Sequence, residues 1–295
     1  MTDEKKTVVA LGMFDGVHIG HKKLLDTAVL IAEARQMTPV VYTFSNHPQQ
    51  SMGASVARIC SNEMREKYML NLGIQHVESV EFNDSIRLSS PQEFVDKLIE
   101  TVNPGVVVAG FNYTFGKKKT GNSELLQKLC AKHGIDTAII PPVLVGKQPV
   151  SSTRIREMIQ KGDVKNVQNL LGRVYSLTGM VCENKKIGRT IGFPTANIEA
   201  DYSMVIPADG VYVSLAGIGG TVYPAVTNVG SNPTVGGKKT TIETHILDFG
   251  EDVYGKTLTI HFVKRIRPDK KFSCIDELKA QIAQDVKTAE QYFGK

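Results

Sequence analysis

The sequence predicts an α/β domain built on a parallel sheet, followed by a small antiparallel β-barrel closed by a C-terminal helix. Three observations carry this. The first half alternates short β-branched runs with stretches of helical periodicity, the signature of strands that run parallel and are covered by helices. After about Tyr175 the pattern changes to short strands separated by Gly, Asn, Asp and Pro turns, which suits a barrel. The chain is 295 residues long, about twice the commonest domain size, so two domains are expected. We place them at residues 1–173 and 174–295.

Taken in order, Thr7–Leu11 is an apolar strand ending at Gly12, and Leu24, Leu25, Ala28, Ile31 and Ala32 recur at helical spacing between Gly20 and Arg35. Val40–Phe44 reads as a strand, Glu63–Leu72 as a helix and Val77–Phe82 as a third strand. A helix over Pro91–Val102, a strand over Gly105–Ala109, a helix over Ser123–His133 and a strand over Thr137–Ile140 complete the first half. In the second half, strands are expected at Tyr175–Cys182, Val211–Ala216, Val222–Asn228, Thr240–Leu247 and Thr257–Lys264, then one long helix over Ile275–Tyr292.

Composition bounds the function. Hydrophobic residues make up 41% and charged residues 22%, the balance of a chain with a real core rather than a disordered one. The longest apolar runs, Val106–Gly110 and Ala138–Val145, fall far short of the roughly 20 residues that span a bilayer. The N-terminus has charges of both signs and no long apolar stretch, so no secretory signal is expected. Cys60, Cys130, Cys182 and Cys274 are widely spaced with no C-x-x-C, which argues against a disulfide framework and fits a reducing cytoplasm. A net charge of +5 is too modest for a dedicated nucleic-acid binder. Local lysine clusters suit phosphorylated small molecules.

The sharpest local signal is Gly12-Met-Phe14-Asp15-Gly-Val-His18-Ile-Gly20-His21, set between the first strand and the first helix. Such a turn aims backbone N–H groups and the positive helix end at a bound anion. Gly20 permits close approach, and the two histidines lie three residues apart at the helix start. Two imidazoles can hydrogen-bond the oxygens of a triphosphate under attack at its α-phosphorus without a covalent intermediate. Further on, Ser151–Thr153 can cap a helix, and Arg154 and Arg156 offer forked donors to phosphate oxygens. Two lookalikes are set aside. Gly116–Ser123 imitates a P-loop but carries Asn122 in place of the lysine, and Gly217-Ile-Gly219-Gly220 lies between strands.

The H-x-G-H spelling resembles the signature of nucleotidylyltransferases and class I aminoacyl-tRNA synthetases. The wider G-x-F-D-G-V-H-x-G-H resembles the adenylyltransferase module of bacterial bifunctional riboflavin kinase/FAD synthetases. Thr43-Phe-Ser-Asn46-His47-Pro48 is similar to that family's T-F-x-P-H-P, with Asn46 where proline is usual. Gly110-Phe-Asn112-Tyr-Thr-Phe115-Gly116 and Ser151-Ser152-Thr153-Arg154-Ile-Arg156 match further elements in order. The resemblance implies a Rossmann-like sheet of nucleotidylyltransferase type. It implies His18 and His21 as catalytic residues, with Gly12, Phe14, Asp15, Gly20, Ser152, Thr153, Arg154 and Arg156 at ATP or its phosphates. His47, Asn112 and Phe115 are expected at flavin or nucleotide.

Gly188-Arg189-Thr-Ile-Gly192-Phe-Pro194-Thr195-Ala-Asn197 resembles the riboflavin kinase signature G-R-x-x-G-x-P-T-A-N. Ala208–Tyr212, Thr227–Gly230, Ile242–His245 and Arg265–Arg267 agree in order. This implies a barrel of riboflavin kinase type, with Gly188, Arg189 and Gly192 at ATP, Thr195 and Asn197 at Mg²⁺, Asn228 and Arg267 near flavin or nucleotide, and Glu243 as the base for the 5′-hydroxyl of riboflavin. Taken alone, Glu243 in an alternating strand reads as an outward charge. The chain departs from the pattern at Glu183 and Asn184, where the family carries His and Gly. The expected activity is twofold: riboflavin to FMN with MgATP, and FMN plus ATP to FAD and pyrophosphate. Two alternatives stay open: an FAD synthetase whose kinase module is impaired, and a flavin-sensing regulator.

Overall fold

A computed structural model describes residues 5–48, 56–182, 192–234 and 237–294. The chain divides into two compact units, Met1–Ser152 and Thr153–Lys295, a division that falls earlier than the expected 173/174.

In the first unit the elements run β1 (Thr7–Leu11), α1 (Ile19–Arg35), β2 (Thr38–Phe44), α2 (Asn62–Asn71), β3 (His76–Val80), α3 (Asp84–Leu88), α4 (Pro91–Val102), β4 (Pro104–Gly110), α5 (Ser123–Lys132) and β5 (Asp136–Ile140), then a two-residue-per-strand hairpin of β6 (Leu144–Val145) and β7 (Gln148–Pro149). The five longer strands form one sheet in the order β3-β2-β1-β4-β5, every pair parallel. Alternate residues of β1 and β4 feed opposite cores. Val9, Leu11, Val107 and Ala109 pack with α4 and α5 residues such as Leu98 and Leu126, while Val8, Ala10, Val106 and Val108 pack with Leu25 and Ala28 of α1. That two-sided burial is why these strands read as unbroken apolar runs rather than alternating ones. Burying each such side chain contributes roughly 1.5–3 kcal/mol. Helix α4 starts as its sequence suggests, with Pro91 in the first turn and a reciprocal Ser90–Glu93 capping box.

The strand order reverses direction between β1 and β4, so a crevice is expected at the carboxyl ends of those strands. The β1–α1 and β4–α5 connections both leave from that edge.

In the second unit, α6 (Ser152–Gln160), whose first residue still belongs to the first unit, and α7 (Val164–Leu171) precede the strands. Helix α7 buries Val164, Val167, Leu170 and Leu171, and Gln168 donates from its side chain to the carbonyl of Val263 at 3.2 Å. These two helices stand with the barrel in the division. The barrel strands are β8 (Tyr175–Cys182), β9 (Ala196–Glu199), β10 (Gly210–Ile218), β11 (Thr221–Thr234), β12 (Gly237–Ile246) and β13 (Thr257–Pro268), closed in the order β10-β11-β12-β9-β8-β13. Six strands form where five are expected. β9 begins in the last two residues of the Gly188–Asn197 motif, and at four residues it is too short to show alternation.

The barrel interior holds a satisfied hydroxyl chain, Ser214 to Thr227 at 2.7 Å and Thr227 to Thr244 at 2.9 Å, all three residues buried. Val211, Val213, Val226 and Val263 form a separate cluster with Ala289 and Val286 of α8 (Ile275–Tyr292). Among the described residues, no helix is long and apolar enough to cross a membrane.

Candidate active sites

The β1–α1 loop is held in a conformation that side chains rarely adopt unaided. Phe14 and Val17 have φ of 50° and 38°, and Gly16 between them has φ of 78°. Such backbone persists only where surrounding contacts over-determine it, and it gathers at functional sites. The contacts are specific. Asp15, buried, accepts the backbone N–H of Ile59 on its Oδ1 at 3.0 Å. A Cβ on Gly16 would lie 2.8 Å from Ile59 Cγ2, so only glycine fits beneath that side chain. The hydroxyl of Ser152 donates to the Asp15 carbonyl at 2.9 Å.

His18 is the N-cap of α1: its Nδ1 accepts the backbone N–H of His21 at 3.2 Å. An Nδ1 that accepts cannot carry a proton, so in this geometry the ring proton of neutral His18 sits on Nε2. The two imidazoles stack with centroids 3.6 Å apart and planes at 12°. Phe14 meets His21 edge-on at 5.3 Å and is fully buried. Gly20 packs against the same ring, since a Cβ there would stand 3.1 Å from His18. Gly12 lies over Phe14 in the same way, at 3.0 Å.

Sequence reasoning missed Arg65. It belongs to no motif, and its place in α2 suggests a solvated charge. It is 4% exposed, and it donates from Nη1 to the carbonyl of Met13 and from Nη2 to the carbonyl of Phe44, both at 2.8 Å. Burial holds its pKa below the usual arginine value. Its spacing of four from the buried Met69 on α2 is the one sequence signal that could have pointed to it.

The other expected residues of this half fall into distinct settings. Asn112 is exposed just beyond the end of β4. Phe115, for which a ligand contact is expected, is 5% exposed, packs on Phe94 at 5.2 Å, and would meet a Cβ on Gly121 at 2.7 Å. His47 is half-buried beside Asn46. The Asn46 side chain donates to the Phe82 carbonyl at 3.0 Å and accepts its N–H at 2.7 Å, a bridge that proline could not make. Thr153 is exposed and Arg154 and Arg156 are half-buried in the first turns of α6.

In the barrel, the antiparallel register sets Asn197 of β9 opposite Glu243 of β12, and Glu243 opposite Asn228 of β11. Directly opposed residues share one face of a sheet, so the three side chains form a row across three strands. Along β12 the buried residues are Ile242, Thr244 and Ile246, and Glu243 and His245 take the other face. Glu243 is nevertheless half-buried there, and desolvation raises its carboxyl above the usual value. The Asn197 amide lies 3.4 Å from Thr195 Oγ1. Thr195 and Asn197 line a cleft with Pro194, Thr244 and the Phe249–Tyr254 segment. His245 Nδ1 contacts the carbonyl of Pro194 at 2.8 Å, and its ring meets Phe193 edge-on at 5.5 Å. Because a carbonyl only accepts, this Nδ1 carries the proton.

Arg267, expected near a ligand, spends its donors inside the fold. It makes a bidentate pair with Asp285 of α8, Nε to Oδ1 at 3.0 Å and Nη2 to Oδ2 at 2.8 Å, and Nη1 donates to the Pro268 carbonyl at 3.2 Å. Gly192 has φ of 88°. Gly188 and Arg189, like Glu183 and Asn184, lie outside the described residues. No cluster of three His, Cys, Asp or Glu able to hold a metal occurs among the described residues. The oxygens of Thr195 and Asn197 are instead hard, neutral donors, which fit Mg²⁺ brought by a phosphate-rich nucleotide.

Two sequence profiles match successive parts of the chain. The sequence profile of FAD synthetase matches residues 1–154, and that of riboflavin kinase matches residues 171–293. The chain belongs to the bifunctional riboflavin kinase/FMN adenylyltransferase family. A family member from Bacillus subtilis is 38% identical over 299 residues, covering 99% of this chain and 94% of the relative. One from Escherichia coli K12 is 34% identical over 291 residues, covering 97% and 93%. A crystal structure of a Streptococcus pneumoniae protein described as a macrolide-efflux protein is 34% identical with a TM-score of 0.92, covering 98% of this chain and 95% of that one.

Proposed function

We infer that the chain catalyses two ATP-dependent reactions in flavin-cofactor synthesis: phosphorylation of riboflavin to FMN, and transfer of AMP from ATP to FMN with release of pyrophosphate. The observation that carries this is the pair of separate chemistries, stacked imidazoles on a strained loop in one unit and a carboxylate in a row of amides in the other. We place the functional division at 173/174 and the protein in the cytoplasm.

In the first reaction, Glu243 accepts the 5′-hydroxyl proton of riboflavin as the oxygen attacks the γ-phosphorus of ATP and the bond from that phosphorus to the bridging oxygen breaks, releasing ADP. Burial raises its carboxyl, which makes it a stronger base than an exposed glutamate. Thr195 and Asn197 would hold Mg²⁺, which supplies charge neutralisation at the transferring phosphate when bound. Asn228 orients the ribityl chain or phosphates, and Gly188, Arg189 and Gly192 belong to the ATP loop.

In the second reaction, a phosphate oxygen of FMN attacks the α-phosphorus of ATP and the bond to pyrophosphate breaks. His18 presents its Nε2–H, and His21 stands beside it, to oxygens that gain charge in the transition state. Gly12, Gly20 and the Phe14–Asp15 turn shape the loop, Ser152, Thr153, Arg154 and Arg156 hold phosphate oxygens, and His47 and Asn112 contact flavin or nucleotide. Incubating purified protein with riboflavin and MgATP alone, and separating the flavins by chromatography, tests the reading. FMN followed by FAD is expected, and FAD formation only from added FMN would leave the adenylyl transfer and remove the kinase.

A further inference from the structure

We propose that Arg65 is a positioning residue for adenylyl transfer, a buried clamp that sets the shape of the loop bearing His18 and His21. The inference rests on the adenylyl-transfer reading above. Phe44 ends β2, and Met13 lies two residues past the end of the neighbouring parallel strand β1. Half-buried carbonyls there gain from a donor, and one planar, buried guanidinium fork reaches both. Its Nε is buried with no hydrogen-bond partner among the described residues, so the two carbonyls are the bonds that fix its head. The Met13 carbonyl belongs to the peptide that leads into Phe14, the first left-handed residue of the loop and the ring on which His21 rests.

The neighbouring segment braces the same few residues. Ile59 holds Asp15 through its N–H and fills the space over Gly16, and Ser61 caps α2, on which Arg65 sits. Together the Ile59–Arg65 stretch grips residues 13 to 16, and Arg65 is its charged member. An apolar side chain could fill the volume but would take the charged fork from both carbonyls, leaving Met13 only the long 3.4 Å contact from the Thr43 hydroxyl. Releasing them lets the Met13–Phe14 peptide rotate and shifts His21 relative to His18. Misplacement of a catalytic group by about 1 Å can cost about 100-fold in rate.

The test uses full-length Arg65→Met and Arg65→Lys, assayed below their unfolding temperatures for FAD formation from FMN and MgATP, with FMN formation from riboflavin as the reference. Arg65→Met is expected to lower kcat for FAD formation by about 100-fold with a small change in KM for ATP and no change in FMN formation. Arg65→Lys, which keeps the charge but not the fork, is expected to fall about tenfold. A folded Arg65→Met with the wild-type kcat, or with a raised KM alone, overturns the proposal. Should Arg65→Met not fold, a wild-type kcat in Arg65→Lys overturns it equally. Absence of FAD formation by the wild-type chain would instead strike the adenylyl-transfer reading.

Discussion

His18 and His21 stack face to face 3.6 Å apart, and the Nδ1 of the first caps the backbone N–H of the second. One side chain therefore serves the helix with one nitrogen, and the adenylyl-transfer reading uses the other. The two jobs separate by mutation. Asparagine places an oxygen where Nδ1 stands and caps helices well, but it has no group at Nε2. His18→Asn is expected to keep the thermal stability of the N-terminal unit while FAD formation falls about 100-fold or more. His18→Ala loses the rate and about 1 kcal/mol of cap stability as well. Unfolding curves alongside flavin chromatography check both.

Glu243 makes a pH prediction with a definite sign. Its carboxyl is raised by burial, so the folded state binds this proton more tightly than the unfolded chain. That contribution to stability is fully present below the unfolded value and is lost as pH rises through the folded one. Above the folded value the ionised side chain is thus a cost to the barrel. Glu243→Gln is expected to abolish FMN formation yet raise the melting temperature on the alkaline side of the raised carboxyl, with the gain fading as pH falls below the ordinary glutamate range. In the wild type, FMN formation should lose rate on the acid side at a higher pH than an ordinary glutamate would give. A pH–rate profile of FMN formation reads this.

His245 points to the Pro194 carbonyl and holds the strip that carries Thr195 and Asn197. Because the donor is Nδ1–H, asparagine can replace it in place. FMN formation by His245→Asn should stay within about threefold of wild type, while His245→Leu should fall about tenfold or more, chiefly through a raised KM for MgATP. Titrating MgATP against both variants measures the difference.

Arg267 and Asp285 form a pair in which the carboxylate is 4% exposed and the guanidinium 19%. Removing one partner strands the other. Arg267→Met should destabilise the barrel by about 3–5 kcal/mol, and Asp285→Leu added to it should recover part of that loss. Denaturant unfolding of the single and double variants gives the coupling. If Arg267 served mainly as a ligand contact, FMN formation would fall without this loss of stability.

Much of this was legible in the sequence. The strands of the parallel sheet are apolar runs because both faces are buried, and Pro91, Ser90 and Glu93 mark the start of α4 without ambiguity. The histidine loop announces itself through its spelling. Phe14, Asp15 and Gly16 turn out to owe much of that spelling to the fold, since each is matched to His21 or Ile59. Phe115, packed on Phe94, and Arg267, paired with Asp285, likewise have a place in the fold beside the ligand contact their motifs imply. What the sequence hid are relations across long chain separations. Arg65 reaches carbonyls 52 and 21 residues away, and β9 is recognisable only from its pairing with β12 and β8.

The central claim is that two independent centres act in succession on one flavin. The most direct measurement follows riboflavin, FMN and FAD over time in wild type, His21→Ala and Glu243→Gln with MgATP. The account predicts that His21→Ala accumulates FMN without FAD, and that Glu243→Gln leaves riboflavin untouched but converts added FMN to FAD. Loss of both reactions from either single substitution, in protein that remains folded, would contradict it.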